Sequence, residues 1–124
     1  MYKRQLNDNY GHLLGDKVLQ GVAEVLKKAS PDNAHPARYG GEEFAILLEG
    51  DIGAGYTLAE RVRKLLKGLS LRNKNSDQVI DNITASFGVA QLQTGEHPEQ
   101  LIERADKALY FAKENGRDQV AKAA

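Results

Sequence analysis

A chain of 124 residues has room for one domain with a single core and not for two. Its 17 basic and 17 acidic residues cancel, so no overall field favours nucleic acid or a membrane surface. The absence of cysteine excludes disulfides, thiolate catalysis and cysteine-based zinc sites. With 41% hydrophobic and 27% charged residues, the composition is that of a folded globular chain. Its apolar runs fall far short of a membrane span and no signal-peptide pattern is present, which reads as a soluble cytoplasmic domain.

Residues Met1 to Gln5 carry neither a helical cap nor an apolar period, and they run into Leu6-Asn7-Asp8-Asn9-Tyr10-Gly11-His12. Gly11 suits a helix stop, so the residues before it read as the last turns of a helix. Asp16 then opens an amphipathic helix with Val18, Leu19, Val22, Val25 and Leu26 on one stripe. The helix closes near Lys27-Lys28, where cations favour a helix C-terminus. Ser30 to Asn33 is loop. Arg38-Tyr39 and Phe44 to Leu48 flank Gly40-Gly41-Glu42-Glu43 and predict strand, tight turn, strand, since paired glycines accept the positive φ that hairpin turns need.

Gly50 to Gly55 reads as a flexible connection, because its G-x-x-G-x-G spacing is not that of a dinucleotide loop. Leu58, Val62, Leu65, Leu66 and Leu69 mark a second helix, and residues 70–78 a polar, basic surface loop. Ile83 to Ala90 reads as a strand. Pro98 suits a first helical turn, and Leu101, Ile102, Ala105, Ala108, Leu109 and Ala112 trace a last helix that stops at Gly116. Val120 is a candidate for a short closing strand. Helices interspersed among hairpin-joined strands predict an α+β fold with one sheet covered by helices.

Three groups of residues could carry chemistry, each with a plain structural alternative. Glu42 and Glu43 put like charges side by side in a tight turn, which suits a hard divalent cation completed by substrate phosphates; a hydrated hairpin tip is the alternative. On the last helix, Asp106, Tyr110, Lys113 and Arg117 fall on one stripe. Lys113 and Arg117 could reach a phosphate or form a solvated face. Asn7 and Asp16 could read a guanine edge with an amide and a carboxylate, or satisfy the local backbone, Asp16 as a helix cap. His12, His35 and His97 lack metal-ligand spacing, and no nucleophile-elbow pattern appears.

Four blocks together carry a resemblance. Asn7-Asp8-x-Tyr10-Gly11-His12-x-x-Gly15-Asp16, Arg38-Tyr39-Gly40-Gly41-Glu42-Glu43-Phe44, Ser86-Phe87-Gly88-Val89-Ala90 and Ala105-Asp106-x-Ala108-Leu109-Tyr110-x-Ala112-Lys113-x-x-Gly116-Arg117 occur in the order of the GGDEF family, the bacterial diguanylate cyclases. The likeness runs from Leu6 to Val120. It implies a palm-like, mixed sheet flanked by helices, as in nucleotide cyclases. It also implies condensation of two GTP molecules into cyclic di-GMP with loss of two pyrophosphates, by a homodimer in which each domain holds one GTP. By position, the resemblance makes Glu42 a ligand of Mg²⁺ or Mn²⁺, and Glu43 either a second ligand or the group that helps deprotonate the 3′-hydroxyl. Gly40 and Gly41 would place backbone N–H groups against the phosphates, Asn7 and Asp16 would read guanine, and Lys113 and Arg117 would hold the terminal phosphates. The alternative is a degenerate GGDEF domain that binds GTP or a cyclic dinucleotide as a regulatory module. An upstream sensory domain is the expected partner in a full-length protein, with no nucleic acid and no membrane segment in this chain.

Three departures from the family pattern stand out. The family's domain opens on a strand bearing another metal-binding aspartate, and Met1 falls just beyond it, so the first strand is expected to be missing and the fragment to be inactive and marginally stable. Residues 1–5 depart from the family and are expected to be a non-native leader, with the partial GGDEF domain spanning 6–124; Arg4 stands where the family has a phosphate-holding lysine. The family's product-inhibition motif, R-x-x-D, would need arginine and aspartate where this chain has Pro31 and Ala34, so feedback inhibition through that site is not expected.

Overall fold

A computed structural model of the chain describes residues 2–6, 12–40, 43–72 and 79–123, and the side chains of residues 17–39, 43–71, 79 and 81–123. The elements run β1 (Tyr2–Leu6), α1 (His12–Ala29), β2 (Ala34–Gly40), β3 (Glu43–Leu48), α2 (Ile52–Lys67), β4 (Leu71–Arg72), β5 (Val79–Ile80), β6 (Ala85–Val89), α3 (Pro98–Glu114) and β7 (Val120–Lys122). Five strands form one sheet in the order β2-β3-β1-β6-β7. Its neighbours pair antiparallel except β6 and β7, which run parallel across the α3 connection. The α+β expectation holds.

The apolar periodicities explain the layers. Phe44, Ile46, Ala85, Phe87 and Val89 turn to one face of the sheet and pack with Val18, Val22 and Leu26 of α1 and Leu58, Val62 and Leu66 of α2. The alternate position Gly88 lies under α3 on the opposite face, where an added Cβ would stand 2.1 Å from the Ala105 carbonyl oxygen. β6 is therefore buried on both faces, which is why it reads as a near-continuous apolar run rather than an alternating one. Pro36 is tolerated because β2 is the edge strand, where a missing N–H breaks no ladder.

Several expectations are corrected. The place of the first strand, expected to be missing, is taken by residues 2–6, which pair antiparallel with β3 on one side and β6 on the other. The gap between two strands presents two rows of backbone donors and acceptors, and an extended segment can satisfy both through its main chain whatever its side chains. For the same reason these residues form strand and not the end of a helix. Asp16 does not cap a helix: α1 begins at His12, so Asp16 lies inside it. The Gly50–Gly55 connection is shorter than expected, because Asp51 caps α2 and Gly53 and Gly55 already belong to the helix. Residues 70–78 are not loop throughout, since β4 and β5 pair as a separate antiparallel ribbon.

Candidate active site

Strand directions decide which residues can meet. β1 and β2 run toward one end of the sheet, and β3, β6 and β7 start from it. Because α1 follows β1, it also starts at that end, whereas α2 follows β3, α3 follows β6, and both return to it. The β2–β3 turn, the chain leaving β1, the first turns of α1 and the C-terminus of α3 thus share one end of the molecule. Glu43, Gly40, Lys113 and Arg117 fall there, and so does the backbone of Asp16. Asn7, Gly41 and Glu42 lie outside the described residues.

The turn itself is shaped by a bulge. Arg38 pairs with Phe44, but Gly40 pairs with Glu43, so β2 carries one extra residue, Tyr39. An extra residue sharpens the local twist and re-aims the chain beyond it, and here it leaves Tyr39 half exposed just before the glycines. Glu43 opens β3 at a partly buried position. Among the described residues no group of three or more His, Cys, Asp or Glu side chains is arranged to hold a metal ion. Glu43 brings a carboxylate to this turn, a hard donor of the kind that suits an ion drawing its remaining ligands from phosphates and water.

The C-terminus of α3 is fixed with unusual completeness. Asn115 caps the helix, Gly116 follows with φ +109°, and the Arg117 N–H donates to the Ala112 carbonyl at 2.9 Å. That six-to-one bond is the closing bond of a Schellman motif. Arg117 and Asp118 continue with φ of +60° and +44°, a region side chains with a Cβ seldom occupy. Asp118 contacts Arg63 Nη1 at 3.1 Å and Lys67 Nζ at 2.5 Å, both on α2. Burial alone would raise the Asp118 carboxyl, but its hydrogen bonds to Lys67 and Arg63 carry it below the usual value. Arg63 in turn forks onto Glu60, with both contacts at 3.0 Å, and that pairing raises its already high pKa.

The sequence pointed to Lys113 and Arg117 but not to Asp118, Arg63 or Lys67. Glu60, Arg63 and Lys67 read as a charged stripe on α2, and the partner of Arg63 lies 55 residues further on.

The family described as "Diguanylate cyclase, GGDEF domain" matches residues 2–119. The chain belongs to the GGDEF family. Diguanylate cyclase VdcA of Vibrio cholerae is 42% identical over 118 residues, covering 94% of this chain and 35% of that protein. Diguanylate cyclase A of Treponema denticola is 40% identical over 119 residues, covering 94% of this chain and 31% of that protein. This chain therefore spans about a third of the length of these curated relatives. The GGDEF domain of DgcB from Caulobacter crescentus, solved in complex with c-di-GMP, superposes with a TM-score of 0.88 at 33% identity, covering 98% of this chain and 75% of that one. The active GGEEF domain of a diguanylate cyclase from Vibrio cholerae does so with a TM-score of 0.82 at 28% identity, covering 99% of this chain and 81% of that one. The second glutamate of the turn in this GGDEF domain, Glu43, thus starts β3 in a scaffold shared with both.

Proposed function

We propose that this GGDEF domain is a diguanylate cyclase that joins two GTP molecules into cyclic di-GMP and releases two pyrophosphates. The observation that carries the reading is topological: Gly40, Glu43, Lys113 and Arg117 all lie at the end of the sheet where β1 hands over to α1. A carboxylate-bearing turn and cations at the same end of the sheet suit a triphosphate whose α-phosphorus is attacked.

Each domain holds one GTP, and two domains face each other as a homodimer, so that the 3′-hydroxyl of one nucleotide attacks the α-phosphate of the other. The new bond joins the 3′-oxygen to phosphorus, the bond from phosphorus to the pyrophosphate oxygen breaks, and the hydroxyl proton leaves toward Glu43. The same exchange with the roles reversed closes the ring. Asn7 and Asp16 read the guanine, the backbone at Gly40 and Gly41 lies along the phosphates, and Lys113 and Arg117 neutralise the departing pyrophosphate. Glu42 would hold Mg²⁺ or Mn²⁺, which supplies charge neutralisation at the phosphates when bound; Glu43, when it is not the proton acceptor, would be the second ligand. Such transfer is mostly positioning and electrostatic stabilisation. An upstream sensory domain in a cytoplasmic protein fits relatives about three times as long as this chain; no helix among the described residues is long and apolar enough to cross a membrane.

Incubation with GTP and Mg²⁺, followed by chromatography of the nucleotides, tests the reading. Cyclic di-GMP that forms with the wild-type sequence and disappears with Glu43→Ala supports the cyclase. GTP binding with no turnover under any metal would instead make the domain a regulatory binding module.

A further inference from the structure

The α3–β7 connection holds more strain than a passive linker needs. Three consecutive residues, Gly116, Arg117 and Asp118, have positive φ, and two of them carry a Cβ. Such geometry persists only where surrounding contacts over-determine it. Here the contacts come from both sides. The Arg117 N–H is bonded to Ala112, and Gln119 Nε2 donates to the carbonyls of Ala112 at 3.1 Å and Asn115 at 2.6 Å. From the other side, the Asp118 carboxylate is held by Arg63 and Lys67 of α2. The Gln119 carbonyl then accepts from Phe87 N–H at 2.9 Å, which starts the β6–β7 pairing. Arg117 sits between these anchors, at the end of the sheet that carries Glu43.

We propose that Asp118, clamped by Arg63 and Lys67, is a positioning residue that sets the direction of Arg117 toward the terminal phosphates of the nucleotide. The inference rests on the reading of Arg117 as a phosphate ligand and adds the device that orients it. A guanidinium gives strong, directional hydrogen bonds only when its fork meets the phosphate oxygens in register. Locking the peptide on either side of Arg117 in a left-handed turn removes most of the freedom of its Cα–Cβ direction before substrate arrives, and preorganisation of this kind strengthens binding without adding a contact. α2 thereby acts on the phosphate site through Asp118, although it contributes no phosphate ligand in this reading.

Calorimetric titration with the α,β-methylene analogue of GTP, which cannot be turned over at the α-phosphate, and with GMP, which lacks the terminal phosphates, separates the roles. Arg117→Ala is expected to weaken the analogue on the order of ten-fold and leave GMP unchanged, the effect of losing a charge-assisted hydrogen bond. Asp118→Ala should reproduce that selective loss, and adding it to Arg117→Ala should produce no further loss. If Asp118→Ala fails to fold, Lys67→Ala, at a more exposed position, replaces it and should give a smaller loss with the same selectivity that vanishes in the Arg117→Ala background. Equal weakening of the analogue and GMP, or a full additional loss in the Arg117→Ala background, overturns the proposal. An Arg117→Ala variant that binds the analogue normally would instead overturn the underlying phosphate assignment.

Discussion

Gly88 of β6 lies so close beneath Ala105 of α3 that a Cβ added to it would stand 2.1 Å from the Ala105 carbonyl oxygen and 2.5 Å from the Leu109 amide. Both obstacles are main-chain atoms, so the helix must lift as a unit. Gly88→Ala is therefore expected to cost about 1–3 kcal/mol or more and, on the proposed reading of Lys113 at the end of α3 and Arg117 just beyond it as phosphate ligands, to lower GTP affinity. At Gly55 the nearest atom is the tip of Val89, 2.9 Å from the added Cβ. A side chain can yield where a helix backbone cannot, and Gly55→Ala should be the milder of the two. Chemical denaturation of both variants checks the order; a larger loss for Gly55→Ala would contradict the packing of α3 on Gly88.

Glu96 and Arg104 tie the loop before α3 to the helix. Arg104 Nε and Nη2 approach the Glu96 carboxylate at 2.6 Å and 2.8 Å, and Arg104 also donates to the Gln91 carbonyl. The hydrogen bonds from Arg104, opposed by burial and aided by the Gln93 amide, hold Glu96 down to about 2, from an ordinary value of 4.5. A folded value below the unfolded one means that stabilisation is complete above about pH 4.5 and fades as pH falls toward 2. The stability difference between wild type and Glu96→Gln should thus be constant near neutrality and shrink across that acid window. Thermal melts at a series of pH values measure it, and a difference that persists undiminished at pH 2 would show that the ion pair is not its source.

The start of α2 shows how two side chains share the work of a helix N-terminus. Asp51 Oδ1 accepts from the Ala54 amide at 2.9 Å, and Gln91 Oε1 accepts from the Ile52 amide at 3.0 Å. Asp51→Ala should cost about 1 kcal/mol, as capping losses do, and Asp51→Asn much less. Equal unfolding midpoints for Asp51→Ala and wild type would exclude the cap as a stabilising contact.

The features legible in the sequence are those set by short-range interactions. The apolar stripe of α1 and the buried run Ile83 to Ala90 are local patterns, and each marks its element, with the strand itself confined to Ala85–Val89. The Gly-Gly-Glu-Glu pattern marks the hairpin, but Gly40 ends β2 and Glu43 opens β3, so both are strand residues rather than part of the turn. Gly53 and Gly55 read as loop because glycine disfavours helices on average, whereas at Gly55 the tip of Val89 approaches so closely that a Cβ would force it to shift. β1 was obscured by its polar composition, because its place depends on main-chain pairing with two distant strands. Of the candidate site, Gly40, Glu43, Lys113 and Arg117 stand out in the sequence as residue types at fixed spacing, and the strand directions put them at one end of the sheet. The tie from Asp118 to Arg63 and Lys67 was not legible, since it depends on α2 and the α3–β7 connection meeting in three dimensions.

The turn between α1 and β2 bears on regulation. Pro31 and Ala34 stand where the family's product-inhibition motif would place an arginine and an aspartate. Their contact here is a backbone bond, with the Ala34 amide donating to the Pro31 carbonyl at 3.0 Å. Ala34 is also buried at the start of β2, so a carboxylate there would have to be desolvated without a paired cation. Neither side chain can offer charge to a guanine or a phosphate of the product. The proposed cyclase activity is accordingly expected to show no inhibition by added cyclic di-GMP beyond simple competition with GTP. Initial rates measured over a matrix of GTP and cyclic di-GMP concentrations distinguish the two patterns. Competitive inhibition vanishes at saturating GTP; a loss of maximal rate that survives saturating GTP would reveal a second product site and refute the expectation.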